Sequence, residues 1–175
     1  MNERYAEEVT GPDADPLSGD DLAAWSALAT VLEWLPAALD AQLLRDSGLS
    51  HFEYGVLYAL AGAPERTLRM SALAGFANSS LSRLSRAVSR LEARGWVERR
   101  PDPGDGRTTL ATLTAAGAAQ QAGAAPGHEA LVRAVVLDPL SARQRRELQA
   151  IAATIAGAIR PDGAWTGPSE DRTAQ

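Results

Sequence analysis

The chain has 175 residues, 45% of them hydrophobic, and a formal charge of −5 from 17 basic and 22 acidic side chains. Its length favours one domain with tails. Every base is Arg, and Cys is absent, which excludes disulfide scaffolds, thiolate zinc sites, Fe–S clusters, Cys nucleophiles and thiol redox sensing. Taken whole, the acidic balance argues mildly against a nucleic-acid partner.

The start, MNERYAEEVT, carries three acids, one Arg and no apolar core, so no signal peptide is predicted. Residues 1–19, with Gly11, Pro12 and Pro16, predict a flexible acidic leader. Ser18 and Asp21 signal a long first helix through about Arg45, which Pro36 is expected to kink or divide. Within it, Leu22 to Leu44 is apolar enough to suggest a membrane span. Glu33 at its middle would cost about 3 kcal/mol on insertion scales, and Pro36 and Asp40 interrupt it further. A mostly buried helix of a soluble, cytoplasmic protein is the better expectation.

Ser50-x-x-Glu53 is a capping box that opens a second helix, stopped by Gly62-Ala-Pro64. A short helix over Leu68–Gly75 follows, then a turn at Phe76-Ala-Asn78. Asn78 or Ser79 can cap a longer helix through Arg94, with Gly95 as the residue that ends it. Trp96–Arg100 and Arg107–Leu113 are rich in aromatic, Val and Thr residues and flank Pro101-Asp-Pro-Gly-Asp-Gly106, which predicts a hairpin. Thr114 caps a helix expected to be interrupted near Gly123 to Gly127 and to continue through Val136, before Pro139 breaks it. Ser141-x-x-Gln144 opens a last helix with an apolar stripe of Leu148, Ile151, Ile155 and Ile159. Residues 161–175 predict a loose tail.

Charge is unevenly placed. Residues 1–50 hold ten acids and two Arg, a net of −8, whereas residues 66–107 hold nine Arg and four acids, a net of +5. A positive segment inside an acidic chain is the signature of a localised anion-binding surface. In Asn78–Arg94, Leu81, Leu84, Val88 and Leu91 fall on one side of a helical wheel. Ser79, Ser82, Arg83, Arg86 and Arg90 fall on the other, and no acid lies between Asn78 and Arg90, so this basic face is expected to be unpaired. Small Ser residues at the helix start would let the backbone approach a DNA groove.

Short helix, turn, basic helix and hairpin make a winged helix-turn-helix, in a fold that is mainly α with a small β-hairpin wing. The sequence resembles the MarR family of bacterial transcription regulators over roughly Asp20 to Arg160. The residues that carry the likeness are Arg69-Met-Ser-Ala-Leu-Ala74, Ser79-Ser-Leu-Ser-Arg83, Leu91-Glu-Ala-Arg-Gly-Trp-Val97, Asp105-Gly-Arg107 and Leu113-Thr-x-x-Gly117. The resemblance implies long N- and C-terminal dimerisation helices over 20–46 and 128–160 around a winged helix-turn-helix over 50–113, within one domain over 20–160. It makes Ser79 to Arg94 the recognition helix, so that Asn78, Ser79, Ser80, Ser82, Arg83, Arg86 and Arg90 contact DNA. It places Arg107 in the minor groove, where narrow A·T-rich DNA concentrates negative potential, with Asp105 orienting it. A turn closed by an ordinary surface ion pair is the plainer reading of Asp105-Gly-Arg107 taken alone.

A homodimer would set two recognition helices about one DNA turn apart and demand a pseudo-palindromic operator. The implied function is a sequence-specific regulator, a repressor in preference to an activator. Family members often release DNA when a small aromatic or phenolic molecule binds between the dimer helices and the winged module. Trp25, His51, Tyr54 and Tyr58 fall in helices that would line such a pocket, although core packing is the plainer reading of each. A winged helix that serves as a protein-interaction or assembly module is the competing class, and an unpaired Arg83, Arg86 and Arg90 face argues against it.

Catalytic residues, cofactors and metal ligands are not expected. His51 and His128 are the only two His residues and lie far apart in sequence. Asp102-Pro-Gly-Asp-Gly106 fails as a calcium loop, because its third and fifth positions are Gly and its twelfth is Leu113. Gly104-Asp-Gly-Arg-Thr-Thr lacks the P-loop Lys, and no Ser sits in a Gly-x-Ser-x-Gly elbow.

Overall fold

The computed structural model describes residues 15–159. Most of the predicted leader and the whole predicted tail lie outside the described residues. Helices α1 (Gly19–Ser47), α2 (His51–Gly62), α3 (Met70–Phe76), α4 (Leu81–Ala93), α5 (Ala115–Val132) and α6 (Ala142–Ile159) accompany strands β1 (Thr67–Arg69), β2 (Val97–Asp102) and β3 (Asp105–Leu113). A 3-10 turn at Pro64–Arg66 precedes β1, and a π-helical turn at Arg133–Leu137 follows α5. The chain falls into two compact units that divide between Ala37 and Ala38.

Helix α1 runs unbroken through Pro36. Proline removes one amide from the ladder, and here that loss does not divide the helix. By length and composition alone α1 could cross a membrane. The expectation of a mostly buried helix fails for the single chain: only Leu39, Gln42 and Leu43 are buried, while Trp25, Val31, Leu32 and Trp34 are at least half exposed. Helix α6 buries nothing, and Leu148, Ile151, Ile155 and Ile159 all face solvent.

The second unit has the core. Leu43, Leu49, Leu57, Leu60, Leu73, Leu84, Val88, Leu91 and Val97 are each about fully buried and belong to one cluster. Burying each such side chain contributes on the order of 1.5–3 kcal/mol. Leu81 departs from the predicted apolar face and is 55% exposed; Ala87 takes its place beside Leu84, Val88 and Leu91. The first turn of a helix projects beyond the core it packs on, and Leu81 is the first residue of α4.

The local signals operate at most of the expected positions. At α2, Ser50 Oγ accepts from the Glu53 amide and the Ser50 amide donates to Glu53 Oε2, both at 3.1 Å. The Ser141–Gln144 box forms in the same way. Helix α4 is capped by Ser80, whose Oγ accepts from the Arg83 amide, instead of by Asn78 or Ser79. Asn78 instead takes φ +42° in the turn before it, a left-handed conformation that Asn tolerates well. Gly95, at φ +71°, ends α4: its amide donates to Glu92 O at 2.9 Å and the Trp96 amide to Leu91 O at 3.0 Å, the Schellman arrangement.

The sheet has three antiparallel strands in the order β1-β3-β2. The predicted hairpin is present with longer strands, closed where Asp102 pairs with Asp105. Pro101 is tolerated because β2 is an edge strand. Strand β1 replaces the start of the predicted Leu68–Gly75 helix and pairs Thr67 with Thr112, whose hydroxyls lie 2.9 Å apart. Helix α5 runs through Gly123 to Gly127 and Pro126 without the expected interruption.

Thr114 caps α5, accepting from the Gly117 amide at 3.0 Å, and its own hydroxyl donates to Gly95 O at 2.7 Å. A Cβ on Gly117 would overlap the Trp96 carbonyl and the Leu113 side chain. Gly117→Ala should therefore destabilise the fold by about 1–3 kcal/mol, read as a lowered Tm in thermal denaturation.

Candidate nucleic-acid interface and adjoining cavity

Two surfaces of the second unit gather the candidate side chains. The first is α4 with the wing. Ser82, Arg83, Arg86 and Arg90 are exposed along α4, with Asn78 and Ser80 exposed at its start and Ser79 half-buried. Asp105 and Arg107 are exposed at the beginning of β3.

The basic face is not uniformly unpaired, contrary to expectation. Arg90 Nε donates to Glu53 Oε1 at 2.8 Å, a pair between a largely exposed Arg90 side chain and a buried Glu53. The partner lies 37 residues away, so no local sequence pattern announces it. Burial alone would raise the Glu53 carboxyl, but hydrogen bonds from Ser50 and Arg90 outweigh it and hold the group below its usual range. The Arg83 guanidinium stacks over the Phe52 ring, 4.6 Å from its centroid. Among the described residues, the side chains of Arg86 and Arg107 show no hydrogen-bonded or ionic partner.

At the wing, Asp105 does not pair with the Arg107 guanidinium. Its Oδ2 accepts from the Thr108 hydroxyl at 2.9 Å and its Oδ1 from the Arg107 amide at 3.1 Å, and these bonds, Thr108 first, lower its pKa. The carboxylate thus fixes the backbone from which Arg107 projects. Asp102 at the other side of the turn takes Arg69 Nη2 at 3.1 Å, which ties the wing to β1. Arg99 donates to Glu92 through Nε and Nη2, at 2.9 and 2.6 Å, and so fastens β2 to α4.

The second surface is a cavity of about 470 Å³ lined mainly by α2 and α5, with Phe76 and Leu137. His51, Tyr54 and Tyr58 line it, joined by His128, Glu129, Val132 and Arg133. Trp25 belongs to the first unit, where it is 52% exposed. Sequence reasoning set His51 and His128 apart, but the fold brings their rings to 5.8 Å and the Tyr54 ring to 4.7 Å from His128. Each imidazole has a buried Nδ1 without a hydrogen-bond partner among the described residues. Among the described residues no cluster of three or more His, Asp or Glu could hold a metal ion.

Burial pushes both imidazoles down. Asp40 opposes this at His51; at His128 the neighbouring His51 adds to it and Glu129 opposes it. The unfolded chain therefore binds more protons than the native one as pH falls. Stability from the neutral imidazoles is complete above about pH 6.5 and is lost below it. Tm should fall between pH 7.5 and 5.5, and His51→Gln with His128→Gln should flatten that fall; an unchanged slope would refute the assignment.

A family model described as MarR family matches residues 47–108. The chain is 38% identical to Sco3205, a MarR family transcriptional regulator from Streptomyces coelicolor solved in complex with DNA, covering 90% of this chain and 98% of that one with a TM-score of 0.82. It is 30% identical to AbsC, a MarR family transcriptional regulator from the same organism, covering 85% and 99% of the two chains with a TM-score of 0.79. CouR from Rhodococcus jostii, solved with p-coumaroyl-CoA, shares the fold at 23% identity, 78% and 92% coverage and a TM-score of 0.66. Comparison with curated proteins finds no match.

Proposed function

The chain belongs to the MarR family of transcriptional regulators, and from that premise we propose that it is a cytoplasmic repressor that binds a pseudo-palindromic operator as a homodimer. It is a regulator and not an enzyme. The observation that carries the finer reading is the pairing of an exposed basic helix with a wing braced to it, each presenting a free guanidinium, Arg86 and Arg107. In this reading Asn78, Ser79, Ser80, Ser82, Arg83, Arg86 and Arg90 meet the major groove and its phosphates. Arg107 enters the minor groove, and Asp105 orients it through the backbone.

The dimer reading is supported by the exposed apolar residues of α1 and α6. Side chains such as Leu32, Ile151 and Ile159 gain stability only when covered, and a second copy would cover them. Helices 20–46 and 128–160 are the proposed dimerisation segments around the winged module at 50–113. A small aromatic or phenolic effector is the proposed occupant of the cavity, where His51, Tyr54 and Tyr58 supply rings and polar edges.

DNA selection from a random pool should recover an inverted repeat with half-sites about 34 Å apart; no enrichment would sink the regulator reading. Arg107→Ala should weaken operator binding in a gel-shift titration at fixed salt while leaving Tm unchanged. Arg86→Ala should lower the preference for operator over random duplex, whereas equal loss on both would make it a phosphate contact. Sedimentation should give twice the 18.4 kDa chain mass, and a monomer at micromolar concentration would refute the dimer.

A further inference from the structure

Glu53 lies at the third position of α2, 5% exposed, where its own amide and its Oε2 complete the cap with Ser50. Its remaining oxygen, Oε1, accepts from Arg90 Nε. That contact holds the guanidinium by its inner edge, and one terminal nitrogen leans on Arg86 O at 3.5 Å. The outer edge belongs to a side chain 58% exposed. One residue earlier on α2, Phe52 supports Arg83 from below. Consecutive residues of one helical turn therefore hold two arginines of α4. An arginine fixed at Nε during folding loses less rotamer freedom when a phosphate meets its outer edge.

We infer that Glu53 is a positioning residue for DNA binding: through Oε1 it orients Arg90 so that the outward terminal nitrogens engage one phosphate. The inference rests on α4 being the DNA-reading helix. Withholding of Arg90 from DNA is the opposite arrangement, and the number of phosphates neutralised separates the two.

The test is the salt dependence of binding to a random-sequence duplex. Glu53→Gln suits it because Gln also serves at the third position of a capping box, so the helix start is kept and the charge is lost. The slope of log Kobs against log salt should become shallower by about 0.9 and affinity should fall by up to about tenfold, with a modest fall in Tm because the single Gln oxygen can keep the Ser50 amide but not Arg90 as well. Arg90→Ala, at an exposed position, should shift the slope equally, and the double variant should shift it no further. A steeper slope in Glu53→Gln would mean that the carboxylate withholds Arg90. An unchanged slope in either single variant would leave the pair purely structural, and each of these results overturns the inference. No DNA binding by the wild-type chain would instead remove the functional reading itself.

Discussion

Glu53 is a carboxylate almost cut off from water, and such a group must find donors or lose its charge. It finds them in the Ser50 amide and hydroxyl and in Arg90. Because the group stays charged, the start of α2 and the last turn of α4 are fixed to the same two oxygens. The next residues of α2 depend on that placement. The His51 amide donates to Asp40 Oδ1 of α1 at 2.8 Å, and His51, Tyr54 and Tyr58 form one wall of the cavity. The start of α2 thus carries residues of the cavity wall as well as the contacts to the basic face.

Much of this was legible in the sequence, for identifiable reasons. The two capping boxes, the Gly95 stop and the Thr114 cap are local rules, satisfied within about five residues, and they appear where predicted. The failures are the long-range terms. Strand β1 has three residues, too few to show a period, and exists because Thr112, Ala111 and Leu110 pair with it from 41 to 45 residues away. Arg90 meets an acid across a similar distance. His51 and His128 become neighbours only once α2 packs beside α5. Leu81 kept the right period and still faces water, because period fixes a direction and not whether anything lies there.

Charge had to be read at successive scales. The whole chain is acidic, its 66–107 segment is basic, and within that segment the arginines divide again. Arg69, Arg90 and Arg99 are engaged by Asp102, Glu53 and Glu92, and Arg94 lies over the Trp96 ring, 4.9 Å from its centroid, with a hydrogen bond to Gly48 O. Only Arg residues without such ties have all their donors left for an external anion. The count of nine bases therefore overstates the unpaired charge: Arg69, Arg94 and Arg99 are tied into the fold, and Arg90 is held at Nε by Glu53.

The brace between β2 and α4 has a further consequence. Arg99 and Glu92, with the Arg69–Asp102 tie and the three-stranded sheet, join helix and wing to one another. The disorder that a free hairpin would surrender on meeting a duplex is surrendered when the chain folds. Under the proposed DNA reading, a wing held in this way shifts accommodation to the other partner: a duplex whose groove spacing does not match would have to bend or twist to fit. In that reading, discrimination would extend to base steps the protein never touches, because their deformability would set the energy of the fit.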